Sequence, residues 1–322
     1  MPESQTSVDQ HTDIADQRKV ETPAPQPQQT TEVDREFTVV EKSQWRQAGR
    51  RFLRHRVAMV SLAVFILLIL FAYVLPYFWK YKYDQITPDN NVSPNGKHPF
   101  GTDNLGYDQL AVVMRGTNIS LRVALSIAVL AVVLGSVWGV VAGYFLGWVD
   151  SFLMRFADLV LTVPPLALAA ALAHNTSGGW FMIALVIGGL AAPYVSRVVR
   201  GVVLSLRERE FIEAARALGA SNTRIMFRHL IPNCLAVIIV NATLLVAAGI
   251  LSETALSYLG FGVRPPEASL GNLITVAQGA VDTRPWLFYF PGLFIILIAL
   301  TVNFIGDGLR DAFDPRQTRQ RR

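Results

Sequence analysis

The 322-residue chain has a single cysteine, Cys234, and only 16% of its residues are charged. One cysteine excludes an internal disulfide framework and any zinc site built on cysteine ligands. Soluble domains carry about 25% charged residues, so the deficit argues against an ordinary cytosolic enzyme. The sequence has no G-x-x-x-x-G-K-[ST]. Its one Gly-Lys pair, Gly96-Lys97, sits in a Pro-rich loop, so this chain has no recognisable P-loop and is not by itself a Walker ATPase. His11, His55, His98, His174 and His229 stand apart in the sequence, without HExxH spacing or paired carboxylates, and no metal site is expected. No apolar run falls within the first 30 residues, so a cleaved signal peptide is not expected either. What the chain does have is apolar residues, at 52%, and a mean hydropathy of +0.35. That composition indicates a membrane protein.

The net charge of +5 is unevenly placed. Residues 1–41 carry nine acidic and three basic side chains around the Pro/Gln stretch Thr22 to Gln29. Such a segment buries too little apolar surface to offset its ordering entropy and is expected to be a disordered tail. The body that follows holds 26 basic against 15 acidic residues.

A helix crossing about 30 Å of hydrocarbon needs roughly 20 apolar residues, because only its own backbone can satisfy its N–H and C=O groups there. Val57–Trp79, Val123–Val149, His229–Ser252 and Pro285–Gly306 meet that requirement. Leu159–Ser196 is a longer uncharged stretch, interrupted by His174-Asn-Thr-Ser-Gly-Gly179. Read as two spans, it places 19 Lys/Arg on the cytoplasmic side against seven outside, in line with the positive-inside rule. Read as one span, it would send the arginine-rich loop from Arg197 to Arg228 outward. Six helices with both termini cytoplasmic is the expected all-α integral membrane architecture. The nucleic-acid reading of the basic charge then falls away.

The expected order is a tail at 1–41, a basic lead-in at 42–56, and spans at 57–79, 119–149, 152–173, 180–200, 232–252 and 287–307. Extracytoplasmic segments fall at 80–118 and 253–286, a cytoplasmic loop at 201–231 and a tail at 308–322. Gly135, Gly139, Gly143 and Gly147 recur every fourth residue and should present a helix face open to close packing. Pro164-Pro165 must break its span, and such breaks in a membrane tend to face protein or a water-filled path. Asn241 and Asn303 are polar residues inside spans, where an interhelical hydrogen bond is the commoner role. Pro164, Pro165 and Asn241 are the candidates for a translocation path. Asp158, Glu253 and Asp307 are expected at span ends, within reach of the headgroups, leaving the span centres free of ionisable residues. That absence counts against a proton-coupled carrier.

Residues 201–232 carry the most information. Ser205 and Glu208 fit a capping box that would start a helix near Leu206. Leu206, Phe211, Ile212, Ala215 and Leu218 give it one apolar side. Gly219 is placed to close it in the left-handed conformation, and Ser221 to cap a second helix through Phe227. Ala214, Ala215, Ala217 and Ala220 make a small-residue patch around the turn, suited to close docking of a partner.

Glu213-Ala214-Ala215, Gly219 and Ile231-Pro232 resemble the EAA loop of binding-protein-dependent ABC importer permeases. The ending Arg228-His-Leu-Ile-Pro-Asn233 resembles the dipeptide/oligopeptide (peptide/nickel) branch. So do Trp45 to Arg56, Phe100-Gly-Thr-Asp103 with Gly106-Tyr-Asp108, Tyr258-Leu-Gly-Phe-Gly262, Arg264-Pro-Pro266 and Gly306-Asp-Gly-Leu-Arg-Asp311 with Asp314-Pro315. Three positions depart from the pattern: Tyr107 stands where the family has arginine, and His229 and Ile231 take the Ile and Leu positions of the general Ile-x-Leu-Pro ending. The resemblance implies a C-type permease subunit with the type I ABC importer fold in a bacterial cytoplasmic membrane, and no catalysis on this chain. It implies that Glu213, Ala214, Ala215, Arg216, Leu218, Gly219 and Ala220 couple to an ATPase. The implied partners are a second, homologous permease, one or two cytoplasmic ABC ATPase subunits carrying ATP and Mg, and an extracytoplasmic solute-binding protein, all beside membrane lipid. The implied cargo is di- or oligopeptides, with nickel or another small solute as the alternative. An ATP-independent channel or secondary carrier is the competing class.

Overall fold

The computed structural model describes residues 44–174, 179–264 and 267–313. The expected tail at 1–41, the interruption at 175–178, Pro265-Pro266 and residues 314–322 lie outside the described residues. Among those described there is no strand; Ile86 with Tyr107 and Thr102 with Asp108 form isolated antiparallel bridges. In order the helices are α1 (Gln44–Arg54), α2 (Arg56–Tyr73), the single turn α3 (Leu75–Phe78), α4 (Gln109–Phe145), α5 (Gly147–Thr162), α6 (Pro165–His174) and α7 (Trp180–Leu206). There follow α8 (Glu210–Ala217), α9 (Asn222–Arg224) passing through a π-helical segment (Ile225–Leu230) into α10 (Ile231–Tyr258), then α11 (Leu270–Ala277) and α12 (Trp286–Phe313).

Among the described residues five helices are long and apolar enough to cross a membrane: α2, α4, α7, the continuous helix Asn222–Tyr258, and α12. The pair α5 and α6 passes the same test as one element, bent by 87° at the Pro164-Pro165 break. Pro164 and Pro165 withdraw two backbone donors in succession, so the helix stops at Thr162 and restarts with Pro165 in its first turn, where a missing N–H costs nothing.

Several boundaries differ from the sequence expectation, each for a local reason. The first span ends at Tyr73, not Trp79. Pro76 cannot donate to the Ala72 carbonyl, which accepts from Asn118 Nδ2 on α4 instead, at 3.4 Å. The second begins at Gln109, ten residues inside the segment expected as an outer loop. Asp108 caps it, with Oδ1 accepting the Ala111 N–H at 2.9 Å. The capping box at Ser205 does not form. Ser205 Oγ donates to the Val202 carbonyl inside α7, which continues through Leu206. Burial of Val203 against α4 keeps that turn helical and overrides the local capping signal. The short helix from Ser221 does not end at Phe227 but runs on into α10. The last span continues to Phe313.

The core consists mainly of three buried clusters, and α4 and α10 pass through all of them. The α4–α7 pair makes the largest helix contact. Gly135, Gly139 and Gly143 lie along it. A Cβ at Gly135 would come within 2.6 Å of the Ala192 carbonyl oxygen, and one at Gly143 within 2.8 Å of Val203. The missing side chains let the two backbones approach, and apolar contact then fills the seam. Gly147 is not part of this face. It lies beyond the end of α4, as the first residue of α5, with φ of +57° and open space where a Cβ would stand.

Candidate functional site

At one end of the bundle the chain leaves α7, makes α8 and returns into α10. Arg209 precedes α8 without a side-chain cap, and Glu210 and Glu213 lie in the first turn, where acidic charge suits the helix dipole. The other end is closed by backbone. Ala220 N–H donates to the Ala215 carbonyl and Gly219 N–H to the Arg216 carbonyl, at 3.0 and 2.9 Å. This double bond pattern needs a left-handed residue between its partners, and Gly219 supplies it at φ +77°. Ser221 Oγ then accepts the Arg224 N–H at 3.4 Å and starts the next helix.

The two faces of α8 differ. Ile212 is fully buried among Val203, Ile225, Met226, Leu230 and Cys234, with Ala215 and Ala220 packed at the margin. Glu213, Ala214, Arg216, Ala217, Leu218 and Gly219 are exposed, and Leu218 retains 88% of its surface. The structure therefore brings all seven expected coupling residues onto one short helix and its closing turn. Exposed Leu218 beside alanines and Gly219 makes a low-relief apolar patch flanked by the charges of Glu213 and Arg216, and Ile212 fixes it to the bundle.

Tyr144, in the last turn of α4, was not singled out by sequence. Its hydroxyl donates to Asn222 Oδ1 at 2.8 Å, and the Arg216 guanidinium lies 5.4 Å above its ring. It thus touches both sides of the α8 turn. Asp150 on α5 takes Arg200 of α7 in a two-pronged pair, each contact 2.5 Å. Nothing in the sequence spacing marks either contact, because the partners are 50 or more residues apart.

Between the helices, Pro165, Leu161, Tyr194, Asn241, Leu244 and Ser252 are among the residues around a largely apolar cavity of about 470 Å³. A second of about 480 Å³ shares Tyr194, Asn241 and Leu244 and reaches Arg310. Pro165 and Asn241 are thereby brought together; Pro164 does not line either cavity. Asn241 makes no interhelical bond in this arrangement: its Nδ2 donates to the Val237 carbonyl of its own helix at 2.8 Å.

The opposite end of the bundle holds two polar knots. Asp108 is fully buried. Besides capping α4, it accepts Trp79 Nε1 at 3.0 Å and meets His98 Nδ1 at 2.7 Å. His98 Nε2 faces Asp89 Oδ2 at 3.2 Å, and Tyr81 stacks on the imidazole. His98, isolated in sequence, is thus held between two carboxylates. Lys97 first, and His98 next, hold the Asp89 carboxyl below its ordinary range. In turn Asp89 raises Lys97. No group of three or more His, Cys, Asp or Glu side chains suited to a metal occurs among the described residues.

Glu253 corrects a second expectation. It is not at a headgroup-accessible span end but is fully buried in α10. Its Oε1 accepts the hydroxyls of Ser257 and Ser269 at 2.7 and 2.6 Å. Ser269 caps α11, and the Leu270 N–H donates to Ser120 Oγ on α4 at 3.0 Å. Three helices therefore meet at one carboxyl group.

A bundle of five or six membrane-length helices, with the short helix α8 exposed between two of them, defines a multi-pass membrane protein. Residues 135–319 match the family model described as the binding-protein-dependent transport system inner membrane component. Residues 43–99 match the N-terminal TM domain of oligopeptide transport permease C. The chain belongs to this permease family, with its all-helical type I fold, and is a multi-pass protein of the bacterial cytoplasmic membrane. It is 44% identical over 276 residues to the oligopeptide transport system permease protein OppC of Mycobacterium tuberculosis, covering 85% of this chain and 95% of that one. A putative peptide permease protein of Brucella suis is 41% identical over 84% of this chain and 90% of its own length. The dipeptide transport system permease protein DppC of Alkalihalophilus pseudofirmus is 36% identical over 87% and 92% respectively.

Proposed function

We propose that this chain is the non-catalytic permease subunit of an ATP-driven importer of di- or oligopeptides, coupled to its motor through α8. The observation that carries the reading is the two-faced construction of this helix. Its exposed side sets Ala214, Ala217, Leu218 and Gly219 beside the charged Glu213 and Arg216, and its buried side is fixed by Ile212 to the root of α10. A push on the exposed face has a rigid route inward, since residues 222–258 are helical without a break. The names of the relatives support peptides as cargo.

In this mechanism a cytoplasmic ATPase subunit, which carries ATP and Mg, takes α8 into a surface groove. Both chain termini and α8 share the cytoplasmic side. A second, homologous permease completes the pathway, and an extracytoplasmic binding protein delivers the solute. Closure of the ATPases displaces α8 and with it α10, rocking the helices around the cavity at Pro165 and Asn241 between inward and outward access. The chain makes no covalent bond to its cargo. It contributes a difference in binding energy between two conformations, imposed by the partner.

The test is the reconstituted importer, assayed for peptide uptake and ATP hydrolysis together. Uptake should require ATP, and Gly219→Pro, which cannot adopt φ +77°, should abolish uptake while the protein still inserts. Glu213→Arg, an exposed change, should also uncouple hydrolysis from uptake. Wild-type uptake with normal ATPase stimulation in both variants would remove the coupling assignment, and ATP-independent uptake would remove the importer reading.

A further inference from the structure

Arg122 lies in an otherwise apolar span and has no carboxylate partner among the described residues. Its guanidinium is 5.9 Å from the ring of Tyr73, the last residue of α2. Arg115, two turns earlier on α4, sits 5.1 Å over the Tyr83 ring and reaches Glu267 only at 4.0 Å. Asn118 lies between them in sequence. Residues 115, 118 and 122 recur at helical spacing, so they share one face of α4. All three border a cleft of about 300 Å³ against the end of α2, joined there by Lys82 and by one acidic residue, the exposed Asp84. Three basic side chains against one carboxylate leave an excess of positive charge.

Three residues around this cleft carry a polar atom without a partner, the Tyr81 hydroxyl among them. Asn118 is 6% exposed, and its Oδ1 accepts no hydrogen bond; Arg115 Nε is buried and donates none. Buried polar atoms are rarely left in that state. Depth narrows what could satisfy them. The 18 residues of α2 rise about 27 Å, close to one hydrocarbon thickness, and Tyr73 ends that rise. Tyr77 and Phe78, on the next turn, are 87% and 81% exposed, as rings of an interfacial belt are. Arg122 therefore stands at headgroup level, with apolar surface below it. Guanidinium forks match phosphate oxygens, and the free Asn118 oxygen can accept a headgroup hydroxyl.

We propose that the cleft between the end of α2 and the 115–122 face of α4 binds the phosphate of an anionic glycerophospholipid. Arg122 is the main clamp, Arg115 and Lys82 add charge, and Asn118 Oδ1 takes a hydroxyl of the headgroup. The cleft exceeds what an inorganic phosphate fills and opens beside the exposed rings of α3, which favours a lipid as the source. The assignment does not depend on the cargo or on which side α8 faces.

The experiment is native mass spectrometry of the delipidated importer complex, titrated separately with phosphatidylglycerol, phosphatidylethanolamine and phosphatidylcholine, with inorganic phosphate as competitor. Wild type should retain phosphatidylglycerol in preference to the other two, and millimolar phosphate should not displace it. Arg122→Gln should weaken retention roughly tenfold, as loss of one charge-assisted contact does, and Arg122→Lys less. Lys97→Gln, a charge change outside the cleft, should have no effect. Should Arg122→Gln fail to assemble, the double variant Lys82→Gln, Arg115→Gln must show a partial loss. Equal retention of all three lipids, unchanged retention in the cleft variants, or displacement by inorganic phosphate would each overturn the assignment.

Discussion

The two ends of α4 are secured by different chemistry. Near Tyr144 the chain is held by apolar burial, with Ile212 seated among branched side chains and one phenol hydroxyl reaching Asn222. Near Asp108 and Ser120 it is held by buried polar groups: a carboxylate that caps a helix and meets an imidazole, and a glutamic acid side chain that gathers serines from α10 and α11. Apolar burial is non-directional, so an element held by it can shift while staying attached. Hydrogen-bonded knots are directional, and a shift leaves a buried group unpaired. In the proposed mechanism the α8 end is the one free to shift under load, and the α11 end the one that keeps its shape.

The largest test of this contrast is Glu253→Ala, which strands two buried serine hydroxyls. It should cost roughly 3 kcal/mol, read as a lower unfolding midpoint of the purified protein, with Glu253→Gln milder because an acceptor remains. Equal stability in both would mean that the knot does not hold α11. Next comes Ile212→Ala, which empties a close-packed site at about 2 kcal/mol, the low end expected for an isoleucine at a helix that can settle. Its signature should be faster hydrogen exchange confined to residues 210–220. Exchange spreading into α11 would break the separation of the two ends.

Tyr144→Phe keeps the ring under Arg216 and removes one hydrogen bond, a loss of about 1 kcal/mol. Uptake per ATP should fall modestly, with insertion unchanged. The smallest effect is acid titration at Asp89. Its pKa is depressed in the fold, so its favourable contribution is present above the ordinary value of 3.8 and disappears as pH drops through the lower folded value. Exchange of the 89–98 loop should rise only in that acid window, and Asp89→Asn should remove the dependence.

Much of this was legible in the residues. Uncharged runs located the membrane helices, Pro164-Pro165 announced the 87° bend, and Gly219 announced the turn that closes α8. These are local properties, fixed by backbone chemistry within a few residues. The errors have the opposite character. Ser205 and Glu208 carry a sound capping signal, yet α7 runs through them because Val203 is buried against α4. Gly147 keeps the four-residue spacing of its neighbours but falls after the helix ends. Glu253 resembles a span-end charge until α11 folds back over it.

The sequence by itself determined that this is a membrane protein, roughly where its long apolar helices run and which short loop is proposed to meet a partner, since hydropathy, charge asymmetry and turn chemistry are read within a single segment. Only the tertiary structure decided that Tyr144 braces the α8 turn, that His98 lies between two aspartates, that Glu253 ties three helices, and that Arg115 and Arg122 border one cleft with Tyr73. Those pairings join residues far apart in the chain, and distance along a sequence carries no information about which side chains packing will bring within hydrogen-bond reach.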